Sequence, residues 1–163
     1  MSRDIVRRYR IADYLNVGTS DSPEYVLMGT GFTSLNEQPG AQTESVQYVN
    51  EVSATSSVES YQTAFPFEAE HVIDEKAVDA LYTVARNHYV GSDAEFEYVR
   101  VELWNSVKDG GTSYEARKFI VAAEVSDYQG TAKQTLSGNL NAVGDPVLGT
   151  FDTSTLAFTE AAA

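Results

Sequence analysis

The sequence predicts a mainly β protein, an antiparallel β-sandwich or partly open barrel with one flanking α-helix at about residues 75–89 and a long loop at about 33–57. Three observations lead there. Apolar residues recur at every second position in most segments, clusters of Gly, Pro and Asp separate those segments, and a single stretch carries helical spacing. A chain of 163 residues suits one domain with one core, and without Cys it has neither disulfides nor thiolate metal sites.

Residues 1–10 contain four arginines (Arg3, Arg7, Arg8 and Arg10) against one acid, Asp4, and read as a basic N-terminal arm. The runs 11–17 and 24–28 flank Gly18, Asp21, Ser22 and Pro23, residues that tolerate tight dihedrals, so a hairpin is expected. Residues 33–57 are rich in Ser, Thr, Gln, Asn and Gly and include the turn dipeptide Pro39-Gly40. Yet Val46, Tyr48, Val49 and Val52 recur at short intervals there, which argues against simple disorder and for an extended arm that docks on something.

Residues 61–73 alternate, with Tyr61, Phe65, Phe67, Ala69, His71 and Ile73 on one side and Gln62, Glu68 and Glu70 on the other, the pattern of a half-buried strand. Asp74 then offers a helix N-cap, Val78, Leu81, Tyr82 and Ala85 form an apolar stripe, and Gly91 offers a stop. An antiparallel pair is expected from 96–104 and 118–128 around Lys108-Asp109-Gly110-Gly111. Residues 131–143 read as a strand with Leu136, Leu140 and Ala142 on one face and Thr135, Ser137, Asn139 and Asn141 on the other. A terminal hairpin pairs 148–151 with 156–159, and residues 160–163 are expected to fray.

Charge is the most unusual bulk property: 11 Lys and Arg against 24 Asp and Glu, a formal net charge of -13. Four of the basic residues lie in the arm, so an acidic body follows it. Such a body disfavours tight binding to a phosphate backbone, which Lys and Arg drive by displacing counterions. The arm suits nucleic acid or, preferably, an acidic surface on another copy of the chain. The first residues lack the apolar run of a secretory signal and no stretch approaches a membrane span, so a soluble protein made in a cytoplasm is expected.

Catalytic constellations are absent from the pattern. His71 lies on an apolar strand face and His88 in the last helical turn, where a cation suits the helix dipole, and both read as structural. Glu68 and Glu70 share a strand face and would serve glycoside hydrolysis or a solvated acidic surface. Gly29-Thr30-Gly31 lacks the Lys of a phosphate loop, and no acidic cluster matches a calcium loop, so no metal and no cofactor are expected. Ten Tyr, seven Phe and one Trp on half-polar strands call for a partner, and closing exposed strand edges against neighbouring copies in a ring would provide one.

Several moderate motifs in order carry a resemblance: Tyr48-Val49-Asn50-Glu51, Ser56-Ser57-Val58-Glu59-Ser60-Tyr61, Phe65-Pro66-Phe67-Glu68-Ala69-Glu70, Gly144-Asp145-Pro146-Val147 and Gly149-Thr150-Phe151-Asp152. Over about residues 10–160 the chain resembles the major tail proteins, or tail tube proteins, of long-tailed, non-contractile phages that infect Gram-positive bacteria. The resemblance implies a single tail-tube domain over 1–163, six copies per ring through a continuous inner barrel, and stacked rings forming the conduit for DNA ejection. It further implies a virion location, with tape measure, tail terminator and tail-tip proteins as partners and with DNA passing the lumen without specific binding.

On that reading the expected inter-subunit contacts are Arg7, Arg8 and Arg10 of the arm and Val46, Tyr48, Val49 and Val52 of the loop. The expected lumen-lining residues are Ser60, Gln62, Glu68, Glu70, Thr135, Ser137, Asn139 and Asn141, whose strands each keep one side free of apolar groups. The inner tube of a contractile tail stays open as a near neighbour. A carbohydrate-binding β-sandwich, with Trp104 and tyrosines exposed in a shallow groove, and a glycosidase using Glu68 and Glu70 stay open as other classes.

Overall fold

In a computed structural model, residues 4–108 and 110–161 are described. The chain is mainly β, as expected: a curled antiparallel sheet forms a half-barrel, and one α-helix covers its hollow. The strands are β1 (Ile11–Asn16), β2 (Tyr25–Leu27), β3 (Phe32–Leu35), β4 (Ala41–Val46), β5 (Thr55–Tyr61), β6 (Ala64–Glu70), β7 (Glu95–Ser106), β8 (Ser113–Gln129), β9 (Thr135–Ala142), β10 (Val147–Asp152) and β11 (Ala157–Glu160). The helix α1 spans Lys76–Asn87.

The main path of the sheet runs β2-β1-β7-β8-β9-β6-β3, every neighbour antiparallel. β8 is the hub because its 17 residues exceed the length of any partner. One edge pairs with β7, while the other carries β10 along residues 113–118 and β9 along 121–129. The sheet therefore forks at β8, and the β10–β11 hairpin packs as a flap beyond the main path. Where β8 bulges between Val125 and Asp127, Gly138 of β9 lies so close that a Cβ would come within 1.9 Å of the Glu124 carbonyl oxygen.

Two apolar clusters follow from the alternation. The concave side collects Leu15, Leu35, Phe65, Phe67, Tyr98, Phe119, Val121, Leu136 and Leu140 beneath Ala77, Val78 and Leu81 of α1. A smaller cluster on the other side joins Tyr14, Tyr25, Val99, Val101 and Ala116 to Phe151 of the flap. The middle of β7 is thus buried on both faces. Its sequence alternation of Val against Tyr and Arg does not separate a dry side from a wet one, because the flap covers the second side.

Several expected boundaries shift. The strand expected over 61–73 is shorter, with the period-two pattern holding only across β6; Tyr61 ends β5, and Ile73 is 80% exposed. Asp74 does not cap α1: it sits at φ 73, and Glu75 takes the N-cap place without a side-chain bond. Nor does Gly91 stop the helix, because His88 has already turned left-handed at φ 55, its N–H bonding the carbonyls of Ala85 and Val84. The buried helix face is Ala77, Val78, Leu81 and Val84. At the C-terminus, Glu160 belongs to β11 and the Ala161 N–H donates to the Leu148 carbonyl at 2.9 Å, so fraying does not begin at 160; residues 162–163 lie outside the described residues.

The largest correction concerns the loop expected over 33–57. It is a β-ribbon: β3 pairs with β6, Gln38 bridges to Ala64, and β4 pairs with β5 as a separate two-stranded sheet. Every residue of β4 and β5 is exposed, so the core pattern that marks other strands is missing from their sequences. Gly40, at φ 66, makes the turn into the hairpin, where a Cβ would meet the Gln62 carbonyl oxygen at 2.1 Å.

Candidate assembly interface

The projecting hairpin carries four of the expected contact residues. Val46 ends β4, while Tyr48, Val49 and Val52 lie in the connection between β4 and β5, and all four are exposed. Val49 and Val52 are 108% and 97% exposed, so nothing in their own chain covers them. With Val58 and Tyr61 also exposed, the hairpin presents six large apolar side chains to water. Isolated surface apolar residues need no explanation, but a two-stranded ribbon built around them does, since such a ribbon has little stability alone.

The three arm arginines expected as contacts, Arg7, Arg8 and Arg10, are used differently from one another. Arg8 is engaged inside the chain: its guanidinium donates to Asp13 Oδ2 at 2.7 Å, to the Leu35 carbonyl at 3.0 Å and to the Ile11 carbonyl at 2.9 Å. Arg10 pairs with Asp4 at 3.1 Å, whereas Arg7 is exposed and makes no ion pair among the described residues. Arg8 thereby ties β1 to β3, the strand at the far end of the sheet path.

Beneath Arg8 runs a chain of alternating charges that sequence reading missed. Asp13, 2% exposed, accepts from Arg8, from Arg100 at 3.0 Å and from the Tyr98 hydroxyl. Arg100, 5% exposed, reaches Glu37 at 3.5 Å, and Arg117 binds the same carboxylate through two nitrogens at 2.7 and 2.9 Å. Arg100 and Arg117 also lie 5.9 and 5.4 Å from the Phe65 and Phe119 ring centres. Hydrogen bonds from Arg117 pull the Glu37 carboxyl below its ordinary range against the opposing effect of burial. Burial, reinforced by Asp13, pushes the Tyr98 hydroxyl well above its ordinary value, so it stays a donor. The only signal in the sequence was Arg100 among apolar neighbours on β7; Glu37, within the apparent loop, gave none.

The expected lumen residues divide into two groups. Ser60 lies on β5 and Gln62 just beyond it, both outside β6. Glu68, Glu70, Thr135, Ser137, Asn139 and Asn141 do share one sheet face, with Glu68 opposite Ser137 and Glu70 opposite Thr135. Register extends that face to Ser34 on β3 and to Glu124, Asp127 and Gln129 on β8. Asn141 donates to Glu124 at 3.1 Å, and Lys133 pairs with Glu70. It is a hydrated, acidic surface backed by Phe65, Phe67, Leu136 and Leu140.

Between β1 and β3 lies an open trough of about 960 Å³, lined by Ile11, Leu27, Met28, Phe32 and Leu103, with Arg8 at its rim. β2 is too short to cover it, because it pairs only with residues 14–16 of β1. His71, elsewhere, stacks on Tyr82 with ring centres 4.6 Å apart and bonds the Tyr128 hydroxyl at 2.8 Å through Nδ1, a packing arrangement. Among the described residues no cluster of three or more His, Cys, Asp or Glu is placed to hold a metal, and no helix is long and apolar enough to cross a membrane. No family model matches the sequence, and no curated protein matches it.

Proposed function

We propose that this chain is a self-assembling structural protein, the repeating subunit of a phage tail tube in which stacked hexameric rings conduct DNA. The observation that carries the reading is the β4–β5 hairpin, a ribbon of wholly exposed residues with an apolar tip and no support from its own chain. A segment of this composition gains stability by burial against a neighbour. The acidic, amide-rich face of β6, β8 and β9 fits the lumen on this account, since carboxylates repel phosphate and provide no counterion release. The resemblance of several motifs, in order, to those of tail tube proteins supplies the choice of assembly. Virion location and contacts with tape measure, terminator and tail-tip proteins belong to the same proposal.

Negative-stain electron microscopy of the concentrated protein over time, beside its sedimentation profile, tests the reading. Rings or hollow tubes are expected, and compact particles without a central channel would overturn it. The carbohydrate-binding alternative relies on an exposed Trp104, which is half-buried on β7. A persistent monomer that binds on a glycan array would favour that alternative nonetheless.

A further inference from the structure

We infer that Tyr128 is a site of covalent acylation, with its hydroxyl as the nucleophile, His71 as the base that takes its proton and Asp79 as the residue that positions His71. A nucleophile, a base within hydrogen-bond reach and a third group that orients the base make up such a constellation. It lies apart from the β4–β5 hairpin and stands whether or not the chain assembles.

Three elements converge there. His71 follows β6 directly, and its backbone N–H donates to the Gln134 carbonyl at 2.9 Å. Asp79 and Tyr82, three residues apart on α1, share one helix face. Tyr128 arrives through the bulge of β8. Strict alternation would put residue 128 on the acidic face with Glu124, but the extra residue between Val125 and Asp127 sets it opposite buried Leu136, on the side that α1 covers. Gly138, whose missing Cβ leaves room for the Glu124 carbonyl, permits that bulge.

The partners fix the direction of each hydrogen bond. His71 Nε2 lies 3.4 Å from Asp79 Oδ1, and a carboxylate only accepts, so Nε2 carries the proton. In the neutral ring Nδ1 is then the acceptor, and the Tyr128 hydroxyl, 2.8 Å away, donates to it. The stacking that packs His71 also holds its ring in this pose, with Tyr82 centred 4.6 Å away and Tyr128 meeting it edge-on at 5.6 Å. The base is largely covered, while Tyr128 opens to solvent.

In the reaction, the Tyr128 oxygen attacks the carbonyl carbon of an activated ester as its proton passes to His71 Nδ1. The bond from the acyl carbon to the leaving oxygen breaks, the leaving alcohol takes the proton from His71, and the acyl group stays on Tyr128. Aryl esters suit the site, because their leaving groups depart with little assistance.

The test treats the full-length protein with para-nitrophenyl acetate for short times and maps acetylated peptides by mass spectrometry. Tyr9, Tyr48 and Tyr61 are each at least 61% exposed against 41% for Tyr128, and none bonds a His or a carboxylate among the described residues. Exposure alone would therefore acetylate those three first. Tyr128 is expected to react about tenfold faster than any of them, and His71→Phe, which keeps a ring against Tyr82, should abolish that advantage without changing the other three. Tyr128 reacting no faster than they do overturns the inference. Nitrogen NMR of the two isotope-labelled histidines, with His88→Gln to identify His71, provides an independent measure. At about pH 8, above the ordinary imidazole range, the proton should reside on Nε2 in the wild type, and Asp79→Ala should redistribute it between the nitrogens. A proton on Nδ1 in the wild type would exclude His71 as the base, whatever the labelling pattern.

Discussion

Arg100 and Arg117 sit directly opposite each other on β7 and β8, two like charges in adjacent strands, and Glu37 is shared between their guanidinium groups. Like charges at facing positions destabilise a sheet unless a counter-charge intervenes. Glu37 lies just beyond β3, so its carboxylate fastens the far edge of the curled sheet to its middle. Asp13 and Arg8 extend the same alternation to the opening of the half-barrel.

Removing Glu37 leaves the Arg117 guanidinium without its bonded carboxylate and Arg100 with Asp13 alone, while the two arginines still face each other. Glu37→Gln is expected to lower unfolding stability by about 3 kcal/mol, the range for breaking one partner out of a buried pair. Urea denaturation followed by tryptophan fluorescence measures it, and a loss below about 1 kcal/mol would show that water compensates the arginines.

Acid provides a second measure of the same group. The folded-state carboxyl of Glu37 titrates below its ordinary value of 4.5, so the stabilisation is present above that value and is lost as pH falls through the lower, folded-state value. Wild-type stability should drop over this window. In Glu37→Gln that component of the drop should be missing, as read from urea midpoints at successive pH values.

Arg7, Arg8 and Arg10 of the arm should separate in a stability assay. Arg8→Ala breaks the charge-assisted bond to buried Asp13 and the bridge to Leu35, and is expected to cost about 2 kcal/mol. Arg7→Ala and Arg10→Ala, which touch only the surface, should fall within about 0.5 kcal/mol of wild type. Equal losses at all three positions would contradict the bridging role of Arg8.

The hairpin tip and the core should respond in opposite ways. Val49→Asp is expected to leave the monomer's unfolding midpoint unchanged while reducing assembly in sedimentation velocity, because Val49 touches nothing in its own chain. Leu81→Ala, on the buried face of α1, should cost about 3 kcal/mol through the cavity it leaves. A hairpin variant that unfolded the monomer would show that the ribbon contributes to the body's stability.

Alternation made most of the sheet legible. Phe65, Phe67 and Ala69 face the core against Glu68 and Glu70, as their spacing required, and Leu136 and Leu140 oppose Ser137, Asn139 and Asn141 in the same way. Alternation carries no signal where burial does not follow a simple pattern. β4 and β5 are exposed on both sides and looked like loop, whereas β7 is buried on both sides and its polar members looked like surface. Ser60 and Gln62 group with β6 by alternation that runs on through Tyr61, although a break at residues 62–63 separates β5 from β6.

By itself, then, the sequence determined most strands of the main sheet, the single helix, the acidic body and the apolar residues of the long polar segment, because each depends on neighbours a few positions apart. Only the tertiary structure decided which charges meet. Asp13, Glu37, Arg100 and Arg117 are scattered along the chain, and the sheet register together with the path of residues 36–40 brings them into one buried chain of opposite charges. The same register separated Arg8 from its neighbours in the arm and left the trough between β1 and β3 open. Such contacts join residues distant in sequence, and their energies depend on a desolvation that local pattern does not encode.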